Sequence, residues 1–126
     1  MSSPIEITRP VVRYHAGQWR LAPWILEFFP RHQSYVEPFG GGANLLLQKA
    51  RCATEVYNDL DSDMGNVFAM LREQGDQLAN LISLTPYSRE EHQLSMRKAK
   101  DRLERARRTL VRAGMAFGDA RDPLDG

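Results

Sequence analysis

Three consecutive glycines that follow a short apolar stretch constrain this chain more than any other feature. They fall at the end of Tyr-Val-Glu-Pro-Phe-Gly-Gly-Gly-Ala, residues 35–43, and a helix-forming segment comes next. A second apolar stretch leads to Asp59, 17 positions after Gly42. Glycines let the backbone approach a ligand without a Cβ in the way, and the amides that open the following helix are free to bind it. Because a carboxylate about 20 residues further on can accept both hydroxyls of a ribose, the layout predicts a nucleotide site.

The apolar pattern of the first half predicts an α/β fold. An apolar face with helical spacing is formed by Leu21, Trp24, Ile25 and Phe28. Residues 34–39 are predicted as a short buried strand, 43–49 as a helix and 54–58 as a second strand. A strand, a helix and a strand in this order normally form a parallel pair with a right-handed crossover.

The second half predicts helices alone. One apolar stripe is formed by Met64, Val67, Phe68 and Leu71, and Gly75 stands where a helix cap is common. Residues 88–91, Ser-Arg-Glu-Glu, have capping-box spacing, and apolar residues then recur every three or four positions. The pattern predicts one long helix over 88–114. Its i, i+4 ion pairs would be Asp101 with Arg105 and Glu104 with Arg108.

Basic charge is concentrated late in the chain. The sequence has 17 Lys and Arg against 16 Asp and Glu, yet residues 89–112 hold nine basic and four acidic side chains. A net charge of +1 and 42% hydrophobic residues argue against disorder and against a uniformly basic coat. We divide the chain into an α/β part over 1–61, a basic helical region over 62–118 and a tail over 119–126.

The glycine run departs from two common nucleotide motifs. A dinucleotide fingerprint needs a third glycine where this chain has Leu45, and a P-loop needs a Lys that neither Asn44 nor Leu45 supplies. The ligand that remains has an adenosine, two ribose hydroxyls and a cationic or zwitterionic tail without pyrophosphate. S-adenosylmethionine fits that description.

Metal, export and membrane functions are not predicted. The histidines, His15, His32 and His92, are far apart and lack acidic or Cys partners at ligand spacing. A lone Cys52 cannot form an internal disulfide, and the N-terminus lacks a signal-peptide pattern. No apolar run approaches the roughly 20 residues of a membrane span. We therefore expect a soluble, cytoplasmic protein.

Three segments together carry a family resemblance. Residues 13–21, Arg-Tyr-His-Ala-Gly-Gln-Trp-Arg-Leu, are followed by the glycine segment 36–43 and by 57–61, Tyr-Asn-Asp-Leu-Asp. In this order and spacing they resemble the cofactor motif, the glycine motif and the ribose-binding segment of Dam-like DNA adenine methyltransferases of bacteria and their phages. Ala16 replaces a glycine of the first motif, and Gln18 replaces its lysine.

The resemblance implies a partial Rossmann-like methyltransferase fold followed by a helical region. It also implies S-adenosylmethionine as methyl donor and adenine in double-stranded DNA as substrate, as in restriction-modification systems. The residues that would line the cofactor are Tyr14, Gln18, Phe39, Gly40, Gly41, Gly42 and Asp59.

The basic helical segment resembles the target-recognition region of that family. The cations in excess there, which would contact DNA, are Arg97, Lys98, Lys100, Arg102, Arg107 and Arg112. Family members also carry a DPPY-type motif that binds the target amino group and stacks on a flipped base. The partial match at 122–125, Asp-Pro-Leu-Asp, lacks the second proline and the aromatic ring. We therefore predict no catalytic residue, and we interpret the chain as the N-terminal portion of such an enzyme, with a sheet edge open to dimerisation.

Other interpretations remain open from sequence. The chain could be an inactive DNA-binding remnant or regulator, whose cations bind phosphates. It could instead be another S-adenosylmethionine or nucleotide-binding module. Three glycines can form only a tight turn, Asp59 can cap the following helix, and Tyr14 and Phe39 can be core aromatics.

Overall fold

The computed structural model describes residues 6–12 and 19–115. Helices and strands are mixed within them, as the α/β prediction requires. The chain divides into two compact units, Met1–Leu60 and Asp61–Gly126. The predicted cofactor residues Tyr14 and Gln18, and the tail over 119–126, lie outside the described residues.

A strand, a helix and a strand form the centre of the first unit. Helix α1 (Ala22–Leu26) comes first, followed by strand β1 (Ser34–Glu37), helix α2 (Asn44–Gln48) and strand β2 (Thr54–Tyr57). The strands pair in parallel, with Ser34 opposite Thr54 and Glu37 opposite Tyr57. The predicted parallel pair is thus confirmed, although each element is shorter than predicted. Because the carboxyl ends of parallel strands meet at one edge, the glycines after β1 lie beside the residues that follow β2.

One face of this sheet carries an exposed pair of valines. Val36 and Val56 lie opposite each other in the register and are 56% and 44% exposed. The prediction of a buried strand over 34–39 is therefore wrong, since Glu37 is the one residue of β1 that is buried. The physical reason is that the sheet has two strands within the described residues, which shield each other only in part.

Helix α1 leaves most of its apolar face exposed. Pro23 is accommodated in the first turn, where its missing N–H costs nothing. Ala22 is buried, whereas Leu21, Trp24 and Phe28 are largely exposed. The rings of Trp24 and Phe28 contact each other edge to face, with centroids 5.2 Å apart.

The second unit begins with a long, kinked helix. Helix α3 spans Ser62–Ser83, and the Asp61 carboxylate caps it by accepting a bond of 2.9 Å from the Asp63 amide. Non-helical dihedral angles at Gln74 (φ −143°, ψ 43°) mark a kink. The helical geometry is interrupted at Gln74, directly before the Gly75 at which the sequence predicts a cap, and it resumes after that point up to Ser83.

Two helices replace the single one predicted over 88–114. Helix α4 spans Arg89–Ser95 and helix α5 spans Arg102–Met115. The Ser88 hydroxyl caps α4 by accepting from the Glu91 amide, and the Asp101 carboxylate accepts from the Glu104 amide at the start of α5. Helix α4 ends at Ser95, and six residues later Asp101 begins a new helix. Asp101 therefore acts as a cap rather than as the predicted partner of Arg105.

The core of the second unit lies mainly between α3 and α5. Its buried apolar residues are Met64, Val67, Met70 and Leu78 from α3 with Ala106 and Val111 from α5. Helix α4 packs on α5 as well.

None of the helices within 6–12 and 19–115 is long and apolar enough to span a membrane. Those residues also contain no group of three or more His, Cys, Asp or Glu side chains placed to hold a metal ion.

Candidate functional site

The glycine bend, residues 40–43, requires backbone that a side chain would disturb. Gly41 has a φ of 52°, and Ala43 is a non-glycine residue in the left-handed region with a φ of 57°. A Cβ on Gly40 would lie 2.2 Å from Cε2 of Tyr57, so the ring of Tyr57 packs directly on the glycine backbone. These features explain why the sequence uses small residues here.

The end of β2 holds the glycine bend through side chains and backbone. The Gly40 amide donates to the Asn58 carbonyl at 2.8 Å, and the Asn58 side-chain amide donates to the Pro38 carbonyl at the same distance. The Tyr57 hydroxyl donates to the Gly41 carbonyl at 2.5 Å. The bend is therefore fixed in position before any ligand binds.

Asp59 lies at the glycine bend. Its Oδ2 accepts a hydrogen bond of 2.8 Å from the Gly41 amide. Asp61 is the N-cap residue of α3, and its carboxylate accepts from the Asp63 amide. Two glycine amides of the bend already donate within the chain, that of Gly40 to the Asn58 carbonyl and that of Gly41 to Asp59.

Glu37 supports the bend from the other side and was missed from sequence. The residue is buried, and its Oε1 accepts from the Tyr35 hydroxyl at 2.8 Å and from the Leu46 amide at 2.6 Å. It thus joins the end of β1 to the first turn of α2. Burial, together with the bond to Glu37, raises the pKa of the Tyr35 phenol well above its ordinary value. A glutamate inside an apolar strand is the one signal that could have indicated this contact.

A cavity of about 580 Å³ opens at the glycine bend, and we call it the bend cavity. Its walls include Phe39, the three glycines, Asn44 and Asp59. Phe39 is 83% exposed, so it is not the core aromatic of the alternative interpretation. The structure brings together Phe39, Gly40, Gly41, Gly42 and Asp59 around one space of ligand size.

A second cavity, of about 510 Å³, lies in the second unit, and we call it the basic pocket. Its lining includes one carboxylate, Asp63, and six cations: Arg97, Lys98, Lys100, Arg105, Arg108 and Arg112. Three of these cations form ion pairs or hydrogen bonds with other residues of the same unit. Arg105 pairs with Asp63 at 2.7 Å, Arg112 donates to the Ser95 carbonyl at 2.8 Å, and Arg108 donates to carbonyls of the loop 96–101.

The remaining three cations of the basic pocket, Arg97, Lys98 and Lys100, are exposed on the loop 96–101. They form no ion pair with another described residue. Arg102, in contrast, pairs with Glu73 at 3.1 Å, and Arg112 also lies 3.2 Å from Asp63. The six cations predicted as DNA contacts therefore differ in whether a carboxylate of the chain already neutralises their charge.

Arg107 must be removed from the predicted DNA contacts. It is 8% exposed and pairs with Glu104 at 2.7 Å and with Glu91 at 2.9 Å. Glu104 also pairs with Arg108 at 2.9 Å, as the i, i+4 spacing predicts. The hydrogen bond from Arg107 lowers the pKa of Glu104 to about 2. A buried, doubly paired guanidinium joins α4 to α5 and is not available to a phosphate.

A family model for the D12 class of N6 adenine-specific DNA methyltransferases matches residues 14–109. The chain belongs to this family. The match includes the glycine bend, Asp59 and the basic pocket up to Thr109, and so it confirms the methyltransferase resemblance read from sequence.

A curated relative of this D12-class chain is the type II methyltransferase M1.LlaDCHI of Lactococcus lactis subsp. cremoris. The two are 30% identical over 95 residues, which cover 72% of this chain and 32% of the relative. The D12-class chain thus spans about a third of the length of that relative. The description of the family as a whole is that of adenine-specific DNA methyltransferases that act at N6.

Proposed function

We propose that this chain binds S-adenosylmethionine in the bend cavity and serves N6 methylation of adenine in double-stranded DNA. The observation that carries the proposal is the position of Asp59, whose carboxylate borders a cavity of about 580 Å³ next to the glycine bend. The volume falls in the range of small-molecule sites. The proposal also treats the strand-helix-strand unit as part of a Rossmann-like methyltransferase core.

The donor set of the bend cavity fits this ligand. When bound, S-adenosylmethionine supplies a methyl group already activated by its sulfonium. Asp59 would accept the two ribose hydroxyls, the Phe39 ring would cover the adenosine, and the glycines would allow close approach. The protein's contribution is alignment of the donor with its acceptor. Tyr14 and Gln18 remain proposed members of the same site.

The basic pocket is the proposed contact for DNA phosphates. The exposed cations Arg97, Lys98 and Lys100 would neutralise phosphates, because their charges are not used within the described structure. Arg102 and Arg112 would contribute less, since each already pairs with a carboxylate. A DNA substrate is also the basis for proposing a cytoplasmic location. We assign this chain no residue that contacts the target amino group.

Calorimetric titration with S-adenosylmethionine tests the cofactor part of the proposal. Asp59→Asn keeps an oxygen that can accept from the Gly41 amide but removes the charge offered to the ribose. Because hydrogen bonds to charged groups contribute about 1.5–3 kcal/mol each, affinity should fall about 10- to 100-fold. Glu27→Gln removes an exposed carboxylate of the same unit and should leave affinity unchanged. Equal affinities for the Asp59→Asn variant and the unaltered chain would reject the role of Asp59.

A further inference from the structure

Asn44 carries a buried oxygen that accepts no hydrogen bond from the described residues. The residue is 8% exposed, and its Oδ1 meets no donor within 6–12 and 19–115. Buried polar side-chain atoms nearly always have a partner, and an orphaned one weakens the fold. The absence of a donor for the Asn44 Oδ1 therefore needs a physical explanation.

The location of Asn44 at the bend cavity provides an explanation. Asn44 is the first residue of α2 and lines the bend cavity together with the glycines and Asp59. Its backbone is held on both sides: the Ala43 amide donates to the Gly40 carbonyl at 2.8 Å, and the Leu46 amide donates to Glu37. Asn44 thus borders a cavity of ligand size, and rotation of its side-chain amide would turn the orphaned oxygen, which has no open surface in the free chain, toward that cavity.

We propose that the Asn44 Oδ1 accepts a hydrogen bond from an N–H group of the ligand in the bend cavity. This inference rests on the proposed function, because it takes that ligand to be S-adenosylmethionine. Two nitrogen donors of the ligand have the required chemistry, the ammonium of the methionine portion and the amino group of the adenine. The bound state would then satisfy an acceptor that the free protein leaves unsatisfied.

The inference predicts opposite effects on stability and on binding. Asn44→Leu replaces the orphan with an apolar group of similar size, so the midpoint of urea unfolding should rise. The same change removes the acceptor, so affinity for S-adenosylmethionine should fall about 10- to 100-fold. Asn44→Asp keeps an acceptor at this position and should retain binding within a few-fold.

Asn66 provides a matched control. It is also 8% exposed, but its side-chain amide donates to the Arg102 carbonyl at 2.9 Å. Asn66→Leu breaks a hydrogen bond that is formed, so it should lower the urea midpoint and leave S-adenosylmethionine affinity unchanged. The two asparagines are equally buried, so opposite shifts of the urea midpoint would show that the effect at Asn44 comes from its unsatisfied oxygen and not from burial alone.

The experiment uses the full chain, calorimetric titration and two ligands. 5′-Methylthioadenosine keeps the adenine and ribose but lacks the ammonium. If Asn44→Leu weakens both ligands, the adenine amino group is the donor, and if it weakens S-adenosylmethionine alone, the ammonium is the donor; both results support the inference. Equal binding of S-adenosylmethionine by Asn44→Leu and the unaltered chain overturns the inference and leaves the proposed function standing. Absence of binding by the unaltered chain overturns both.

Discussion

The Asp59 carboxylate accepts a hydrogen bond of 2.8 Å from the Gly41 amide, 18 residues earlier in the chain. The bond joins the residue after β2 to the bend after β1, so it orients the carboxylate before a ligand arrives. Preorganisation of this kind lowers the entropy lost on binding.

Glu37, which lines the bend cavity, supports the bend through its hydrogen bonds to Tyr35 and Leu46. Glu37→Ala leaves the Tyr35 hydroxyl and the Leu46 amide without their acceptor, so the free energy of unfolding should fall by about 2–4 kcal/mol. Glu37→Gln keeps an oxygen at that position and should cost less. Urea denaturation measures both changes, with Glu27→Ala as an exposed control. A loss below about 0.5 kcal/mol for Glu37→Ala, the range of ordinary surface substitutions, would contradict this role.

Gly40 should not tolerate a side chain. Gly40→Ala places its Cβ 2.2 Å from the Tyr57 ring, so we expect a loss of about 1–3 kcal/mol in the free energy of unfolding. Gly65 in α3 is the matched control, because nothing lies within 4 Å of a Cβ built there. Gly65→Ala should stabilise the chain by about 0.5–1 kcal/mol. Thermal unfolding of the two variants measures both effects. Shifts of the unfolding temperature in the same direction would contradict the steric role assigned to Gly40.

Arg107 should be structural. Arg107→Ala leaves Glu104 and Glu91 without their buried partner, so the free energy of unfolding should fall by about 3–5 kcal/mol. Arg102→Ala removes an exposed cation and should change stability by less than about 1 kcal/mol. Urea denaturation near pH 7 compares the two. Similar stability losses in both variants would mean that the Arg107 network contributes little.

The Glu104 pKa predicts an acid-dependent loss of stability. Its folded-state pKa is lowered from 4.5 to about 2, so its ionised form stabilises the folded chain above pH 4.5. That contribution should disappear as the pH falls from about 4.5 to about 2. Urea midpoints measured across this window should decline more steeply for the unaltered chain than for Glu104→Gln. Parallel declines would show that Glu104 does not contribute to the slope.

DNA binding should depend on the loop cations of the basic pocket. Each phosphate neutralised contributes about 0.9 to the slope of log affinity against log salt, so Lys98→Ala with Lys100→Ala should reduce that slope by nearly 2. Arg89→Ala with Arg102→Ala removes the same charge outside the pocket and should change the slope less. Fluorescence anisotropy with a short duplex at several salt concentrations provides the measurement. Equal slope changes in the two double variants would argue for a diffuse charge effect.

Local patterns predicted the first unit well. Period and composition were enough for β1, α2 and β2, and the glycine run and Asp59, which the spacing predicts to lie together, are within hydrogen-bond distance. The break at 96–101 was not predictable from spacing, because Met96 and Ala99 continue the apolar period across it. The cap at Asp101 marks the start of the second helix, but a single aspartate in a charged segment is a weak signal in sequence.

Charge alone could not separate the cations of the second unit. Arg107 and Lys98 have the same formal charge in sequence, yet one is buried between two carboxylates and the other is exposed on a loop. That difference depends on how α4 and α5 pack. The unsatisfied oxygen of Asn44 could not be predicted from sequence either, since a missing hydrogen-bond partner is recognised only when the positions of all neighbouring residues are known.

The pairing of Val36 with Val56 has a thermal consequence. The two isopropyl groups lie side by side and are exposed to water. Covering them with an apolar surface lowers the free energy by about 25 cal/mol for each Å² removed from solvent. Because hydrophobic association weakens on cooling and strengthens in sulfate, any assembly formed through these valines should loosen in the cold and tighten on salting out.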